Sequence, residues 1–365
     1  MIFAFRADAS LEIGSGHIIR CLTLANALKL AGHDCFFICR NHLGNLIEYL
    51  NSLQWKVLEL PTPQHSQITS VVNSQGYMNW LGVTQTDDAQ DTLSSLSNHQ
   101  IQHIDWLIVD HYALSAEWEQ ALRHIAANIL AIDDLANRTH DSDIILDCGL
   151  SNTQEHYQQL NKRPATTLIG PRYALLRPEF ALYRQHLQLS RPTSSTIKLL
   201  INLGGIDKDD CTSTILDVLA QSDLPYPINT TIIMGINAPH KEKVVNHAKS
   251  LPFRNEVKIN ATNMGELMAQ HDLAIGAAGS TAWERCCLGL PTIMICLADN
   301  QKMIAHELDL AGAAISLNKE EIKPNLESTL KSITPARLLQ MQNAALSITE
   351  GQGIDLLLKK MQVTT

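Results

Sequence analysis

Short apolar segments alternate with amphipathic segments along almost the whole chain. The apolar segments are rich in Ile, Leu and Val, and many of them are followed by Gly, Asn or Asp. This alternation of strand-like and helix-like patterns is typical of a parallel sheet that carries helices on both faces. The pattern therefore predicts an α/β fold.

In the first half of the chain, the predicted strands are Ile2–Arg6, Asp34–Cys39, Trp55–Leu60, Trp106–Asp110, Ile129–Asp133 and Ile144–Asp147. Helices are predicted over His17–Ala31 and Ser115–Ala127. The polar stretch from Pro61 to His103 is rich in Ser, Gln, Asn and Thr. It predicts one helix near Asp88–Leu96 and a mobile loop, because loops of this length are usually functional or disordered.

A second series of strands begins at Ile197, after a polar segment with the composition of an interdomain linker. These strands are Lys198–Leu203, Thr230–Met234, Glu256–Ile259, Leu273–Gly276, Thr292–Cys296 and Ala313–Ser316. Helices are predicted at Thr212–Ala220 and near Ile354–Met361. A chain of 365 residues exceeds one average domain of about 150 residues. We expect two Rossmann-like domains, residues 1–189 and 197–365, joined by a linker at 190–196.

Composition excludes several classes of function. The net charge is −9, with 28 Lys and Arg against 37 Asp and Glu, which argues against nucleic acid as a partner. Arg6 and Asp8 stand where a signal peptide needs an apolar stretch, and no apolar run reaches the roughly 18 residues of a membrane span. We expect a soluble, cytoplasmic protein that has no membrane partner.

Cysteine spacing and missing motifs argue against several kinds of site and classes of protein. The eight cysteines have no Cys-x-x-Cys spacing, so we expect them to be reduced and mostly buried, with neither a zinc site nor a disulfide framework. The motifs His-Glu-x-x-His, Gly-x-Ser-x-Gly and Gly-x-x-x-x-Gly-Lys-Ser/Thr do not occur. Their absence argues against a zinc protease, a serine hydrolase and a P-loop protein.

The segment Gly14-Ser15-Gly16-His17 joins the first predicted strand to the first predicted helix. Its glycines allow the backbone to approach a ligand, and the helix start presents unpaired N–H groups and a partial positive charge that suit phosphate. The same charge disfavours imidazolium, so a histidine here tends to stay neutral and able to accept a proton. The alternative is an ordinary turn with a surface histidine.

Three loops in the second half follow strands in a similar way. They are Leu203-Gly-Gly-Ile-Asp207, Gly276-Ala-Ala-Gly-Ser-Thr-Ala-Trp-Glu-Arg285 and Ala298-Asp-Asn-Gln301. Small residues let backbone amides approach a diphosphate, and the convergence of three loops favours a nucleotide site over coincidental turns. Thr281 and Glu284 also have the spacing of a capping box, so Glu284 has an alternative role at the helix end.

Polar residues follow two strands of the first half. Asp110, His111 and Tyr112 come after one strand, and the next ends at Asp133 and Asp134. Because the carboxyl ends of parallel strands meet at one edge, these clusters should open beside the predicted imidazole. Asp110 or Asp133 could orient it, His111 could be a second acid or base, and the carboxylates could hold a metal. Alternatively, aspartates at strand ends cap turns, an interpretation favoured for His111 and Asp134.

Taken together, several motifs resemble the UDP-2,4-diacetamido-2,4,6-trideoxy-β-L-altropyranose hydrolases of pseudaminic acid biosynthesis. The resemblance runs from about residue 1 to 302. In addition to the three loops of the second half, it rests on Arg6-Ala-Asp-Ala-Ser10, Ile13-Gly-Ser-Gly-His-Ile-Ile-Arg-Cys21, Trp80-Leu-Gly-Val83, Val109-Asp-His-Tyr112, Ile132-Asp-Asp-Leu-Ala136 and Gly170-Pro-Arg-Tyr-Ala-Leu-Leu-Arg-Pro-Glu-Phe180. One departure is Leu146-Asp-Cys-Gly149, where the family leads us to expect Asn in place of Gly.

That family is similar to glycosyltransferases of GT-B type, including the enzyme that adds N-acetylglucosamine to peptidoglycan lipid precursors. The resemblance implies two Rossmann-like domains whose parallel sheets face each other across a cleft. It implies that UDP binds the C-terminal domain while the sugar reaches toward His17, and that UDP is removed by metal-independent hydrolysis with inversion. It implies no cofactor, a UDP-sugar substrate used for flagellin or surface glycans, and a monomer or weak homo-oligomer.

His17 is thus the predicted catalytic base. The predicted substrate-binding residues are Gly14, Ser15, Gly16, Arg20, Asp110, Tyr112, Gly204, Gly205, Ala278, Gly279, Ser280, Thr281, Glu284, Asn300 and Gln301. Amides around Gly204–Gly205 and Gly279–Ser280 are expected to stabilise the leaving UDP, Glu284 to bind ribose, and Asn300 and Gln301 to meet the sugar or diphosphate. The alternatives are a GT-B glycosyltransferase, a UDP-sugar 2-epimerase and a non-catalytic nucleotide-sugar binding protein.

Overall fold

A computed structural model describes residues 1–63, 77–187 and 196–363 of the chain. The chain divides into two compact units. The first unit comprises Met1–Leu175 and Gly353–Thr365, and the second comprises Leu176–Gln352.

The first unit contains a parallel sheet in its described residues. Its strands are β1 (Ile2–Ala7), β2 (Asp34–Arg40), β3 (Lys56–Leu60), β4 (Ile104–Asp110), β5 (Ala126–Ile132), β6 (Ile144–Asp147) and β7 (Thr166–Ile169). The spatial order is β3-β2-β1-β4-β5-β6-β7. The chain therefore adds strands outward from β1 on one side of the sheet and then outward from β4 on the other side.

The helices that cover this sheet are α1 (Gly16–Leu30), α2 (Ile47–Ser52), α3 (Met78–Leu81), α4 (Gln85–Asn98), α5 (Ala116–Leu122) and α6 (Gln154–Leu160). The last helix of the chain, α15 (Gly353–Lys360), also belongs to this unit, where it contacts the 3₁₀ turn Pro171–Tyr173. Gly353 lies so close to the backbone of Tyr173 and Ala174 that a Cβ there would clash. A glycine is therefore needed at this contact.

The second unit contains a second parallel sheet, with the order β10-β9-β8-β11-β12-β13. Its strands are β8 (Ile197–Asn202), β9 (Ile228–Met234), β10 (Arg254–Ile259), β11 (Leu273–Ala277), β12 (Thr292–Cys296) and β13 (Ala314–Asn318). Its helices are α7 (Pro178–Gln185), α8 (Cys211–Gln221), α9 (Lys241–Ala248), α10 (Met264–Gln270), α11 (Thr281–Cys287), α12 (Lys302–Leu310), α13 (Ile322–Lys331) and α14 (Pro335–Leu346). The predicted α/β class, with two parallel-sheet domains, is confirmed.

The units do not follow the domain limits expected from the sequence. Residues 178–185 were expected in the first domain, but they form α7 of the second unit. There the guanidinium of Arg184 donates to the carbonyl oxygens of Cys287, Leu346 and Thr349. The last helix returns to the first unit, although the sequence placed it in the second. The predicted linker 190–196 lies outside the described residues except for Thr196.

Two local predictions for the first unit were wrong. The helix expected over 115–127 ends at Leu122, because Ala126–Ile132 pairs with β4 as strand β5. Strand β7 was not predicted; it pairs with β6 through Thr166–Ile169. The helix expected near 88–96 is confirmed as α4, whereas part of the predicted mobile loop, residues 64–76, lies outside the described residues.

All eight cysteines are free, and all except Cys35 are buried, as the sequence predicted. The core of the first unit also contains buried charges. Arg6 and Arg40 are almost completely buried and pair with Asp88, which also accepts a hydrogen bond from the indole of Trp118. Because buried charges are tolerated only when they are paired, this network ties β1, β2, α4 and α5 together.

In each parallel sheet, the side on which the chain adds successive strands switches between two neighbouring strands. These are β1 and β4 in the first unit, and β8 and β11 in the second. Ligands of open α/β sheets bind outside the carboxyl ends of the strands at this switch point. The Gly14–His17 turn and Asp110 lie at the first switch point, and Gly204 and Gly279 follow the two strands of the second.

Candidate functional site

The turn between β1 and α1 fixes the position of His17. The Ser10 hydroxyl accepts hydrogen bonds from the amides of Glu12 and Ile13, and its carbonyl accepts one from the amide of Gly14. Gly14 has φ +79°, in the left-handed region that favours glycine. Helix α1 begins two residues later at Gly16, so the imidazole lies in its first turn.

Asp110 is the hydrogen-bond partner of the imidazole. Nδ1 of His17 lies 2.6 Å from Oδ1 of Asp110, and the aspartate side chain is fully buried. Burial alone would raise the pKa of Asp110, but the charge of Arg20 and the hydrogen bonds from Arg20 and His17 hold it below the usual range. The carboxylate is therefore ionised and accepts the proton on Nδ1. In a neutral imidazole this leaves the lone pair on Nε2.

Arg20, one turn further along α1, joins two carboxylates. Its Nε and one terminal nitrogen each lie 2.6 Å from the oxygens of Asp110, and its other terminal nitrogen lies 2.6 Å from Asp134. Asp134 also accepts a hydrogen bond of 2.9 Å from the Tyr112 hydroxyl. We call His17, Arg20, Asp110, Tyr112 and Asp134 the His17 cluster.

Aromatic rings surround the imidazole. The ring of Tyr112 meets it edge to face at 4.7 Å, and that of Trp80 lies 6.2 Å away. Tyr77 contacts both Trp80 and Tyr112. Neither Tyr77 nor Trp80 was among the residues predicted for the site. The Trp80-Leu-Gly-Val83 motif was the available signal, but nothing in it indicated contact with the imidazole.

The other polar residues at this edge, His111, Asp133 and Asp134, have different structural roles. His111 is buried, its Nδ1 accepts the amide of Ala113, and burial lowers its pKa to about 3, so it is a neutral turn residue as favoured. Asp133 accepts the amides of Leu135 and Ala136, which is the turn-capping role. The same interpretation was wrong for Asp134, whose carboxylate pairs with Arg20 instead.

The segment 146–149, which differs from the motif expected from the resemblance, is held by a local hydrogen-bond network around Asp147. The buried carboxylate of Asp147 accepts hydrogen bonds from the Gly149 amide, the Asn152 side chain and the Tyr157 hydroxyl. A Cβ at Gly149 would lie 3.0 Å from Oδ1 of Asp147, which is closer than most real Cβ contacts. Burial, reinforced by the charge of Asp134, raises the pKa of Asp147 to about 7.

In the second unit, the loop after β8 has open space beside Gly204. Gly204 has φ +86°, and a Cβ there would meet nothing within 4 Å. The backbone of Gly205 packs directly on Gly235, where a Cβ would clash. Asp207 accepts the amides of Cys211 and Thr212, so the first turn of α8 is already capped. An anion at the start of α8 would therefore find these two amides already used.

The loop after β11 is braced by an arginine. The guanidinium of Arg285 donates to the Ala277 carbonyl and the Thr281 hydroxyl, and it lies over Gly276, where a Cβ would approach it to 2.5 Å. The Ala278 amide is used in a hydrogen bond to Ile295. Gly279 has open space around it, as a ligand would require.

The geometry separates the two interpretations of Glu284. Helix α11 begins at Thr281 with Ser280 as its N-cap and without a side-chain capping bond, so the capping-box interpretation was wrong. Oε1 of Glu284 lies 3.8 Å from the guanidinium of Arg177, which was not among the residues predicted for the site. Burial raises the pKa of Glu284 to about 7, while Arg177 and Arg285 oppose that rise.

Asn300 and Gln301 lie in a short 3₁₀ turn, Asp299–Gln301, after β12. The side-chain oxygen of Gln301 accepts the amide of Leu297, which closes the turn. Because β8, β11 and β12 are neighbours in the sheet, the three predicted loops do follow adjacent strands.

The described residues contain neither a cluster suited to a metal ion nor a helix suited to spanning a membrane. Among residues 1–63, 77–187 and 196–363, there is no group of three or more His, Cys, Asp or Glu side chains arranged to hold a metal ion. In the same ranges, no helix combines the length and apolar character that crossing a bilayer requires.

Comparison with known structures gives the fold. Acinetobacter baumannii MurG matches with a TM-score of 0.66 at 14% identity, covering 100% of this chain and 99% of the other. The spinosyn rhamnosyltransferase SpnG in complex with thymidine diphosphate matches with a TM-score of 0.60 at 15% identity, covering 100% of both chains. The fold is that of the GT-B glycosyltransferases.

Sequence comparisons give distant relatives. Residues 203–355 match the glycosyltransferase family 28 C-terminal domain. The spore coat polysaccharide biosynthesis protein SpsG of Bacillus subtilis is 25% identical, over 95% of this chain and 94% of its own length. The UDP-2,4-diacetamido-2,4,6-trideoxy-β-L-altropyranose hydrolase of Campylobacter jejuni is 24% identical, over 84% of this chain and 96% of its own length.

An uncharacterised protein of Methanocaldococcus jannaschii is 23% identical over 81% of this chain. The match spans only 55% of that protein, so the chain corresponds to about half of the archaeal relative. Together, the comparisons place the chain among distant relatives of a UDP-sugar hydrolase, a polysaccharide biosynthesis protein and glycosyltransferases.

Proposed function

We propose that this protein hydrolyses UDP-2,4-diacetamido-2,4,6-trideoxy-β-L-altropyranose to UDP and the free sugar, a step of pseudaminic acid biosynthesis. The pairing of His17 with Asp110 carries the proposal, because it supplies an oriented imidazole at the switch point of a nucleotide-sugar fold. The similarity to the Campylobacter enzyme supports this choice of substrate.

In the proposed reaction, Nε2 of His17 takes a proton from a water molecule. The water oxygen forms a bond to the anomeric carbon, and the bond between that carbon and the oxygen of the β-phosphate breaks. The electron pair leaves with UDP, and attack from the opposite side inverts the anomeric configuration. General base catalysis of this kind contributes about 10²–10⁴ in rate.

Asp110 and Arg20 act on the imidazole rather than on water. Asp110 holds the proton on Nδ1, so Nε2 keeps its lone pair, and it stabilises the imidazolium that forms after proton transfer. Arg20 keeps Asp110 ionised through two hydrogen bonds of 2.6 Å. In this proposal both are positioning residues.

The second unit holds the leaving group in this proposal. Backbone amides around Gly204–Gly205 and Gly279–Ser280 bind the diphosphate oxygens, and Glu284 accepts hydrogen bonds from the ribose hydroxyls. Backbone amides and an ionised UDP suffice for departure, because a nucleoside diphosphate is a good leaving group. No metal takes part in the proposed step.

A glycosyltransferase is the second candidate, because residues 203–355 match a glycosyltransferase domain. The same His17 would then take the proton of an acceptor hydroxyl. In the hydrolase proposal, the free sugar appears without any acceptor. In the alternative, the UDP-sugar stays intact until an acceptor is added.

The test follows UDP and free sugar by NMR, with the purified protein and the UDP-sugar but no acceptor. Wild type should release both products, whereas His17→Asn and His17→Ala should release neither at a measurable rate. UDP affinity of the variants should stay within a few fold of wild type. Near wild-type turnover in His17→Asn would remove His17 as the base, and no turnover by wild type would reject hydrolysis of this sugar.

A further inference from the structure

Two aromatic side chains beside His17 have no part in the proposed reaction. Tyr77 and Trp80 lie 5.1 Å apart, and they contact Tyr112 at 5.5 and 5.7 Å between ring centroids. Aromatic residues make up only 5% of the chain. Three of them in mutual contact next to one imidazole therefore form an apolar surface, which we call the aromatic wall.

Tyr112 offers the wall a ring and not a hydrogen-bonding group. The Tyr112 hydroxyl already donates to Asp134, and the ring itself is buried against His17. Trp80 stacks on Tyr112 with an angle of 27° between the rings, and both Tyr77 and Trp80 are half-buried. Both rings therefore keep part of their surface exposed.

The position of the wall indicates which part of a ligand it meets. A base that activates water must lie close to the attacked carbon, with reacting atoms about 3–3.5 Å apart. Inversion requires the water to attack from the side opposite the diphosphate. The ring centroids of Trp80 and His17 lie 6.2 Å apart, a separation comparable with the width of one pyranose. The wall thus borders the sugar and not the nucleotide.

We infer that Trp80 and Tyr77 form a sugar subsite that selects pyranoses with apolar substituents over pyranoses rich in hydroxyl groups. This inference rests on the proposed function and names the part of the substrate that decides specificity. Methyl groups and C–H faces gain from contact with an aromatic surface. A hydroxyl buried against the same rings loses its hydrogen bonds to water without replacement. Acetamido methyl groups and a deoxygenated C6 fit this wall, whereas the hydroxyl groups of glucose do not.

The test measures binding rather than turnover. Dissociation constants are determined by calorimetry in a His17→Asn background for UDP, UDP-glucose and the UDP-diacetamido-trideoxy sugar. Trp80→Ala should weaken binding of the diacetamido sugar about tenfold, since one apolar group in a pocket is worth about that much. Binding of UDP and UDP-glucose should change by less than about twofold, and Trp80→Phe should retain most of the preference.

Tyr49→Ala is the matched control. Tyr49 is a half-buried tyrosine of α2 that has no ring contact with the wall among the described residues. This variant should bind all three ligands as the background does. Equal weakening of all ligands by Trp80→Ala, or no weakening of any, would overturn the inference.

The outcomes also separate this inference from the proposed reaction. If the wild-type protein releases no free sugar but Trp80→Ala still loses its preference for the diacetamido sugar, the subsite stands and hydrolysis fails. If wild type hydrolyses the sugar and Trp80→Ala keeps the full preference, hydrolysis stands and the subsite fails.

Discussion

Nδ1 of His17 lies 2.6 Å from Oδ1 of Asp110, although 93 positions separate these residues in the sequence. Strands β1 and β4 are neighbours, and Ala7 pairs with Asp110 in their register. The residue that follows the β1 turn therefore meets the last residue of β4. This contact converts a histidine at a helix start into an oriented imidazole whose Nε2 can accept a proton.

Asp110→Asn should reduce turnover by about 10²–10⁴-fold, because the amide no longer fixes the proton on Nδ1 and no longer stabilises the imidazolium. UDP affinity should be unchanged. Steady-state kinetics and calorimetry measure the two quantities. Turnover close to wild type would contradict the orienting role of Asp110.

Asp143→Asn is the control for that variant. Asp143 precedes β6, at the opposite edge of the same sheet, where it pairs with Arg123 and Arg163. The substitution weakens the partly exposed ion pairs of Asp143 in the same unit and leaves the residues of the His17 cluster unchanged. Turnover of this variant should equal that of wild type, while a melting curve reports any shared loss of stability.

Arg20→Gln separates positioning from substrate binding. The change leaves the buried Asp110 and the largely buried Asp134 without their cation, and breaking a buried pair costs about 3–5 kcal/mol. We expect a lower melting temperature together with slower turnover. If turnover falls while the melting temperature is unchanged, Arg20 acts on the substrate directly, as the sequence analysis predicted.

Glu284→Gln tests the ribose contact through its pH dependence. The pKa of Glu284 is raised from 4.5 to about 7, so the folded protein loses stability from this group as pH rises from about 4.5 to 7. Ribose hydroxyls donate to the ionised carboxylate, so UDP affinity should increase as pH rises through about 7.

Calorimetry of wild type and Glu284→Gln at pH 6 and pH 8 measures this effect. The difference in UDP affinity between the two proteins should be small at pH 6 and grow at pH 8. The comparison with Gln cancels the titration of UDP itself. A difference that is the same at both pH values would mean that the Glu284 carboxylate does not bind the ribose.

Two neighbouring glycines give a matched pair of variants. A Cβ at Gly276 would lie 2.5 Å from the Arg285 guanidinium, so Gly276→Ala should destabilise the second unit by about 1–3 kcal/mol. A Cβ at Gly279 would meet nothing within 4 Å, so Gly279→Ala should keep the wild-type melting temperature. If the diphosphate packs on this loop, Gly279→Ala should nevertheless lose UDP affinity. Unchanged affinity in this variant would place the diphosphate elsewhere.

Much of the fold was predictable because strands in parallel sheets form compact apolar runs. The predicted segments at Ile2, Thr230 and Thr292 are all strands. Strand β7 was missed because Thr166–Ile169 is four residues long and two of them are threonines. The return of α15 to the first unit depends on contacts between distant segments, which no local pattern contains.

The candidate site was also partly predictable from the sequence. The rule that strand ends meet at one edge predicted that Asp110 or Asp133 would lie near His17, and it could not choose between them. The choice depends on strand order, which places β4 and not β5 next to β1. The pairing of Asp134 with Arg20, and the position of Trp80 beside the imidazole, require side-chain packing that the sequence does not display.

The most direct test of the proposed hydrolysis follows oxygen from ¹⁸O-labelled water. The UDP-sugar is incubated with wild-type protein without an acceptor, and the early products are analysed by NMR and mass spectrometry. Hydrolysis at the anomeric carbon should place the label on the anomeric oxygen of a sugar whose first configuration is inverted, and none in UDP. Label in UDP would show cleavage at phosphorus and contradict the role given to His17.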